Sequence, residues 1–185
     1  PPSCNLSWKA LSADLYQETI IMGDSIIKGV GCESGYEMVS ESGASFSKIS
    51  DLLSIAKSQT DLQKIQHVVV ALGINDLKGP ESNVGTNTIV FNKAIDNIRE
   101  EMPQAHIFTS AILPRKSPGS KFTAINEKIV DMNKFLQSHA DDNDDITHIG
   151  KTNTFKGDDS QKLYLKNDVS VIKIIQSAVR KHQSK

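Results

Sequence analysis

The chain has 185 residues, of which 38% are hydrophobic and 23% charged, a composition that excludes a disordered or fibrous protein. Its 21 lysines and arginines nearly balance 22 aspartates and glutamates; the resulting net charge of −1 excludes a general electrostatic attraction to nucleic acid or to an anionic membrane. This length is sufficient for one globular domain with a buried core.

Further features of the sequence limit the class of protein. No apolar run approaches the ~20 residues that cross a bilayer, so no transmembrane segment is predicted, and no signal-peptide pattern is present. The two cysteines, Cys4 and Cys32, are too few for a disulfide framework or a zinc site, which favours an intracellular location. Because the sequence starts at Pro1 rather than at methionine, residues 1–185 are interpreted as a single domain from a longer protein.

Strand-like and helix-like segments alternate along the sequence. Apolar runs bounded by turn residues predict the strands, and apolar residues at helical spacing predict the helices. In chain order the predicted elements are strands at Thr19–Met22 and Tyr36–Val39, a helix at Ser45–Lys57, a strand at His67–Leu72, a helix at Asn87–Glu101, a strand at Ala105–Leu113, a helix from about Phe122 to Ser138, a strand at Asp145–Ile149 and a helix at Asp168–Lys181.

This alternation predicts an α/β fold built from right-handed strand–helix–strand units. The run Val68–Leu72 is apolar throughout, as expected for a strand that is buried on both faces of a parallel sheet. Five strands suit a flavodoxin-like order, so we predict a three-layer α/β/α domain with a parallel five-stranded sheet. In such a sheet ligands bind beyond the carboxyl ends of the strands, where functional residues are therefore expected.

Ser25 follows the first predicted strand directly, within the sequence Gly-Asp-Ser. Its hydroxyl is expected at the carboxyl edge of the sheet, and its backbone N–H at the start of a helical turn, where it can bind developing negative charge. A turn in which Asp24 acts as an ordinary cap explains the same three residues equally well.

Gly43 and Asn75 follow the second and third predicted strands in the same way. Gly43 can bring a backbone N–H close to a ligand without interference from a side chain. The side-chain amide of Asn75, within Gly-Ile-Asn-Asp, can donate to an oxyanion. An ordinary turn at Gly43 and a capping role for Asn75 or Asp76 are the structural alternatives.

The series Gly-Asp-Ser, Gly and Gly-X-Asn-Asp resembles the first three sequence blocks of the SGNH (GDSL-like) hydrolase superfamily. Ser110–Arg115 and Ile125–Val130 are also similar to that family, in particular to the small esterase-like domains of mobile-element proteins. The resemblance implies that Ser25 is the nucleophile and that the oxyanion hole consists of the backbone N–H groups of Ser25 and Gly43 with the Asn75 side chain. It implies a small ester or acyl ligand, and neither a cofactor nor a metal.

The chain departs from the family at the fourth block, which is Asp-X-X-His at the start of the last helix. The corresponding segment here is Lys166–Val171. In the register that keeps Val169, Asn167 and Ser170 replace the aspartate and the histidine; the register shifted by one residue places Val171 at the histidine position. Neither register supplies a base, and removing the histidine of a serine triad lowers turnover by ~10⁶.

Another histidine could replace the missing base only if it reached the carboxyl edge. His67 and His106 open their strands at the amino edge, His139 ends a predicted helix, and His182 lies in the C-terminal tail. His148, near the carboxyl end of the fifth strand, is therefore the candidate for a surrogate base. The usual role of a lone histidine in a strand is structural.

Two hypotheses follow from this combination of motifs. The first is a degenerate esterase-like domain, weakly active or inactive, that retains its pocket for a ligand or for assembly with a protein partner in a larger complex. The second is an active ester hydrolase that uses Ser25 with His148 or with a base from a partner chain.

A third hypothesis is nucleic-acid binding within a larger protein. It depends on two groups of cations, one in a single loop and one on the last predicted helix. They are Arg115, Lys116 and Lys121, and Lys173, Arg180 and Lys181. Aromatic residues are only 5% of the chain and no RNA-binding aromatic motif accompanies these cations, so the hypothesis has weak support.

Overall fold

The computed structural model describes residues 18–25, 27, 37–115, 122–150, 177 and 181–182. The segment interpreted as a degenerate fourth block, with Asn167 and Ser170, lies outside the described residues, as does most of the predicted last helix. Ser177, Lys181 and His182 are helical, and we call them the C-terminal helical segment.

Five parallel strands form one sheet. They are β1 at Thr19–Gly23, β2 at Glu37–Ser40, β3 at His67–Ala71, β4 at His106–Ser110 and β5 at Ile146–Ile149. Their spatial order is β2-β1-β3-β4-β5, and all four neighbouring pairs are parallel. The predicted α/β class, parallel sheet and flavodoxin-like order are therefore confirmed.

Three long helices connect these strands. They are α1 at Ile49–Gln59, α2 at Val84–Glu101 and α3 at Thr123–Asp141. A 3₁₀ turn at Phe46–Lys48 leads into α1, and a second one at Leu62–Lys64 precedes β3. The first three of the four predicted helices are present, with shifted ends.

The core lies between these helices and one face of the sheet. Val68 of β3 is in register with Ile20 of β1 and with Ile107 of β4, so the three side chains form one row. They share a single apolar cluster with residues of α1, α2 and α3, such as Leu52 and Phe91. This packing fixes the direction of the strands and brings their carboxyl ends to one edge.

The opposite face of the sheet is apolar as well. Ile21, Val69 and Phe108 form a second row in register, and all three are buried. The ring of His182, from the C-terminal helical segment, lies on this face with its centroid 6.1 Å from that of Phe108. Helical residues thus contact both faces, in agreement with the predicted three-layer arrangement.

Helix α2 begins three residues earlier than predicted because of a capping box. The Asn83 side chain accepts a hydrogen bond of 2.9 Å from the Thr86 backbone N–H, and the Thr86 hydroxyl accepts one from the Asn83 backbone N–H. The cap satisfies one of the N–H groups that a helix leaves unpaired at its start.

We expect Asn83→Ala to lower the free energy of unfolding by about 1 kcal/mol, because the Thr86 N–H loses its side-chain acceptor. Urea unfolding measures the change. Asn92→Ala, an exposed position within the same helix, is the matched control and should cause no loss. Equal destabilisation by both substitutions would contradict the capping assignment.

Candidate active site

Three loops meet at the carboxyl edge of the sheet, and Asn75 connects them. Its Nδ2 donates to the Ala44 carbonyl at 2.7 Å and lies 3.4 Å from Oδ2 of Asp24. Asp24 precedes Ser25, and Ala44 follows Gly43. The loops that carry the three predicted site residues are thus adjacent.

Ser25 and Gly43 are exposed at this edge, and Asn75 is partly buried between them. Gly43 has a φ of +73°, a left-handed conformation that favours glycine, and a side chain added there would meet nothing within 4 Å. The direction that a side chain would take at this position is therefore open. Both residues are thus exposed at the edge where the sequence predicts an oxyanion hole, and their role as its members stays a prediction.

Asp76 has a capping role, but toward a different element from the one expected. Its Oδ2 accepts the backbone N–H of Phe46 at 3.0 Å, so it caps the turn that leads into α1 rather than the turn that follows Asp76 itself. Burial raises the pKa of Asp76, while the N–H groups of Phe46 and Ser47 oppose this rise. The carboxylate is thus a partly buried link between the loop after β3 and the loop after β2.

Lys78 contacts the site although no motif in the sequence indicates it. Its Nζ donates to Oδ1 of Asn75 at 2.5 Å. The bond fixes the orientation of the amide, because Oδ1 must face the ammonium group and Nδ2 must face Asp24 and Ala44. Only the helical spacing of three residues between Asn75 and Lys78 could have signalled this contact.

The amide of Asn75 is therefore already bonded on both sides. One proton of Nδ2 is donated to the Ala44 carbonyl, and the other faces the carboxylate of Asp24 at a long distance. An oxyanion would have to compete with Asp24 for this second proton. The local geometry gives Asn75 a structural role beside the oxyanion role that resemblance implies.

An apolar pocket opens next to Asp24, between the carboxyl ends of β1, β3 and β4. Its walls are mostly aliphatic. They comprise Asp24, Ile27, Ala71, Leu72, Ile74, Ser110, Ala111, Ile112 and Leu113. Because Asp24 directly precedes the exposed Ser25, the pocket lies beside the candidate nucleophile and could hold an apolar group.

Two asparagines of α3 hold one wall of this pocket. The Asn133 side chain accepts from the Ile112 N–H and donates to the Ile112 carbonyl, both at 2.8 Å, and this pair of bonds is buried. Asn126, two helical turns earlier, bonds both backbone groups of Arg115 at 2.8 Å. The bonds explain why β4 ends at Ser110, earlier than the predicted Leu113.

The close approach of this wall to the neighbouring loop depends on Gly73. Its φ is +121°, and a side chain there would collide with Ile112. The glycine of the Gly-Ile-Asn-Asp motif is thus required for packing as well as for the turn.

His148 lies in β5, three strands away from β1 in the order of the sheet. At a strand spacing of about 4.8 Å, this separates its backbone from that of β1 by about 14 Å. Its Nδ1 lies 3.1 Å from the hydroxyl of Thr109, and burial lowers its pKa. Among the described residues, its Nε2 has no hydrogen-bond partner. This placement favours the structural role over that of a base for Ser25.

The other predicted histidine positions agree with the fold. His67 and His106 are the first residues of β3 and β4, and His139 lies near the end of α3. Within the described part of the chain, no three His, Cys, Asp or Glu residues are grouped to hold a metal ion. No helix in that part is long and apolar enough to cross a membrane.

Comparisons with known proteins were made for the sequence and for the fold. The sequence model of the family described as GDSL-like lipase/acylhydrolase matches residues 1–169. No curated protein matches the chain.

Several solved structures have a similar fold. A GDSL-like lipase from Bacteroides thetaiotaomicron has a TM-score of 0.64 at 15% identity, over 94% of this chain and 92% of that chain. A carbohydrate esterase family 2 enzyme from Corynascus thermopiles has a TM-score of 0.57 at 15% identity, with coverages of 87% and 66%. Phospholipase A1 from Streptomyces albidoflavus has a TM-score of 0.52 at 16% identity, with coverages of 71% and 78%. At these identities the likeness shows the fold alone.

We expect Asn133→Leu to lower the free energy of unfolding by about 2–3 kcal/mol, because it leaves the buried N–H and carbonyl of Ile112 without partners. Asn126→Leu should cost about 1 kcal/mol, since water can reach the partly buried Arg115 backbone. Urea unfolding of both variants tests the prediction. Equal losses in the two variants would contradict the prediction, because burial of the backbone groups would then not determine the loss of free energy of unfolding.

Proposed function

The chain belongs to the GDSL-like lipase/acylhydrolase family, and we propose that it is an esterase-like domain that binds an ester or acyl ligand beside Ser25 with little or no turnover. The observation that carries the proposal is the hydrogen bonding of Asn75. Its amide is bonded to Ala44, Asp24 and Lys78, so it holds the site together whether or not the site is catalytic.

Ligand binding is supported by the position of the pocket. Ser25 is exposed, and the adjacent pocket is lined mainly by aliphatic side chains such as Ile27, Leu72 and Ile112. An apolar acyl group would bury its surface in this pocket while its polar end faced Ser25 and Gly43. Such a combination of an apolar cavity and a few polar groups is typical of small-molecule sites.

Weak turnover is supported by the sequence at the predicted fourth block. A serine hydroxyl needs a base within hydrogen-bond reach to become a nucleophile at neutral pH. Asn167 and Ser170 stand in the sequence where the family has aspartate and histidine, and neither side chain accepts a proton at that pH. His148 is bonded to Thr109 at a distance of three strands from β1, which argues against its replacing them.

An active hydrolase is the second candidate, and the exposure of Ser25 beside the pocket favours it. The backbone donors of Ser25 and Gly43 lie at an accessible edge, and they could stabilise an oxyanion without Asn75. This candidate requires a base from outside the described residues or from a partner chain. The nucleic-acid hypothesis gains no comparable support, since four of its six cations lie outside the described residues.

We expect the domain to hydrolyse p-nitrophenyl acetate and butyrate no faster than its Ser25→Ala variant, because in this proposal the hydroxyl has no base to activate it. Release of p-nitrophenol at pH 7.5 measures the rates. The His148→Ala variant is assayed in parallel. A rate of ester hydrolysis that Ser25→Ala abolishes would overturn the proposal that the domain has little or no turnover. If His148→Ala also lost that rate, His148 would be identified as the surrogate base.

Rebuilding the fourth block tests whether the remaining site is competent. We expect the double variant Asn167→Asp and Ser170→His to gain ~10²–10⁴-fold in ester hydrolysis, the usual contribution of a general base. Adding Ser25→Ala should remove the gain. No gain in a folded double variant would mean that the oxyanion donors are unsuitable as well, and would leave ligand binding as the function to examine.

A further inference from the structure

The pocket beside Ser25 extends across the ends of three neighbouring strands. Asp24 and Ile27 follow β1 and form the side next to Ser25. Leu72 follows β3, and residues 110–113, at the end of β4, form the far side. Because neighbouring strands are about 4.8 Å apart, the backbone of the far side lies about 10 Å from that of β1. A chain that entered beside Ser25 would therefore cross the end of β3 and stop at residues 110–113.

The near side of the pocket is closed by the Ile27 side chain. This side chain is 3% exposed and lies against Gly23, where an added Cβ would come within 2.7 Å of its Cδ1. The same added Cβ would come within 2.9 Å of the Ala71 carbonyl oxygen. Ile27 therefore fills the space above the end of β1, and the backbone of the sheet prevents it from moving inward.

The backbone of the far side is held from two directions. The Ile112 side chain packs against Gly73, and both of its backbone polar groups are bonded to Asn133 of α3. Ala111 contacts the loop after β5, since a Cβ added at Gly150 would come within 2.7 Å of the Ala111 Cβ. A wall that is packed in this way does not retreat to admit a longer ligand without a cost in free energy.

The space between the two sides is small. The cavity volume is about 40 Å³. A cavity needs roughly 10–15 Å³ to hold one water molecule, so this pocket has room for about three groups of that size. An acyl group with its carbonyl at the mouth, beside Ser25, would bury about three carbons there. A carbonyl followed by three carbons is a butyryl group.

We propose that the pocket is specific for short acyl groups, of about two to four carbons, and that the side chains of Ser110 and Leu113 on its far side set this limit. The inference rests on the proposed function, since it takes the carbonyl of the ligand to lie beside Ser25 and Gly43. Ser110 and Leu113 line the pocket and are partly exposed, so substitutions there change its length without disturbing the core. The methylenes of a longer chain would remain outside the pocket and gain no burial.

The test is the affinity of primary amides of increasing chain length for the whole chain. Chemical-shift titration of the backbone N–H signals of Leu72 and Ile112 measures it. Primary amides are neutral and carry the acyl group without a hydrolysable ester. From acetamide to butyramide the affinity should rise about 15-fold, since each of the two added methylenes contributes about fourfold when it is buried. Hexanamide and octanamide should bind no more tightly than butyramide.

Two substitutions on the far side should shift the limit in opposite directions. Ser110→Leu fills the pocket, so butyramide should bind no more tightly than acetamide. Leu113→Ala lengthens the pocket, so hexanamide should bind at least about fourfold more tightly than butyramide. Ile89→Ala is the matched control for the loss of a large aliphatic side chain. Ile89 is 70% exposed on α2 and does not line the pocket, so this variant should keep the affinities of the parent chain.

The outcomes separate this proposal from the proposed function. If no amide shifts the signals of Leu72 and Ile112, the proposed function is wrong, and the chain-length limit with it. If the affinity continues to rise from butyramide to octanamide, the limit alone is wrong, because the site then still binds acyl groups.

The variants decide whether the far side sets the limit. The same dependence on chain length in both variants as in the parent would overturn the assignment to Ser110 and Leu113. Dispersed backbone N–H signals establish that each variant is folded. If one variant does not fold, the shift expected of the other still decides the question, because the two substitutions are predicted to act in opposite directions.

Discussion

The hydrogen bonds of the dipeptide Asn75–Asp76 hold the carboxyl edge of this domain together. Asn75 bonds Ala44 in the loop after β2 and approaches Asp24 in the loop after β1, while Asp76 accepts the N–H of Phe46. Parallel strands bring their ends to one edge, but they do not fix the loops that follow. Asn75 and Asp76 fix these loops, because each side chain bonds a different part of the chain. Both lie in a partly buried setting, where an unpaired polar group would raise the free energy of the folded state.

This arrangement changes what the presence of the sequence motifs implies. A glycine that is required for packing against Ile112 and an asparagine that is bonded on both sides are useful to the folded state without any reaction. The motifs therefore indicate the fold more strongly than they indicate catalysis. Ser25 differs from these two residues. It is exposed, and none of the hydrogen bonds described above gives it a structural role.

The strand order and the meeting of the three loops at one edge could be predicted because they depend on patterns that are local in the sequence. Apolar runs predicted the strands, and alternation with helices predicted their parallel order. The bond from Asp76 to Phe46 spans 30 residues, and the clamp of Asn133 on Ile112 spans 21. Polar contacts of this kind have no periodic signature. For this reason the end of β4 and the role of Lys78 became apparent only from the structure.

The two edges of the sheet use polar groups in opposite ways. At the carboxyl edge Asp24 and Asp76 are held by amide donors, and Lys78 is close to Asn75, so charge is accommodated beside the pocket. At the amino edge His67 and His106 are packed among aromatic rings and hydroxyls, and burial lowers the pKa of His67. Charged groups are therefore accommodated at the carboxyl edge, whereas the amino edge favours an uncharged His67.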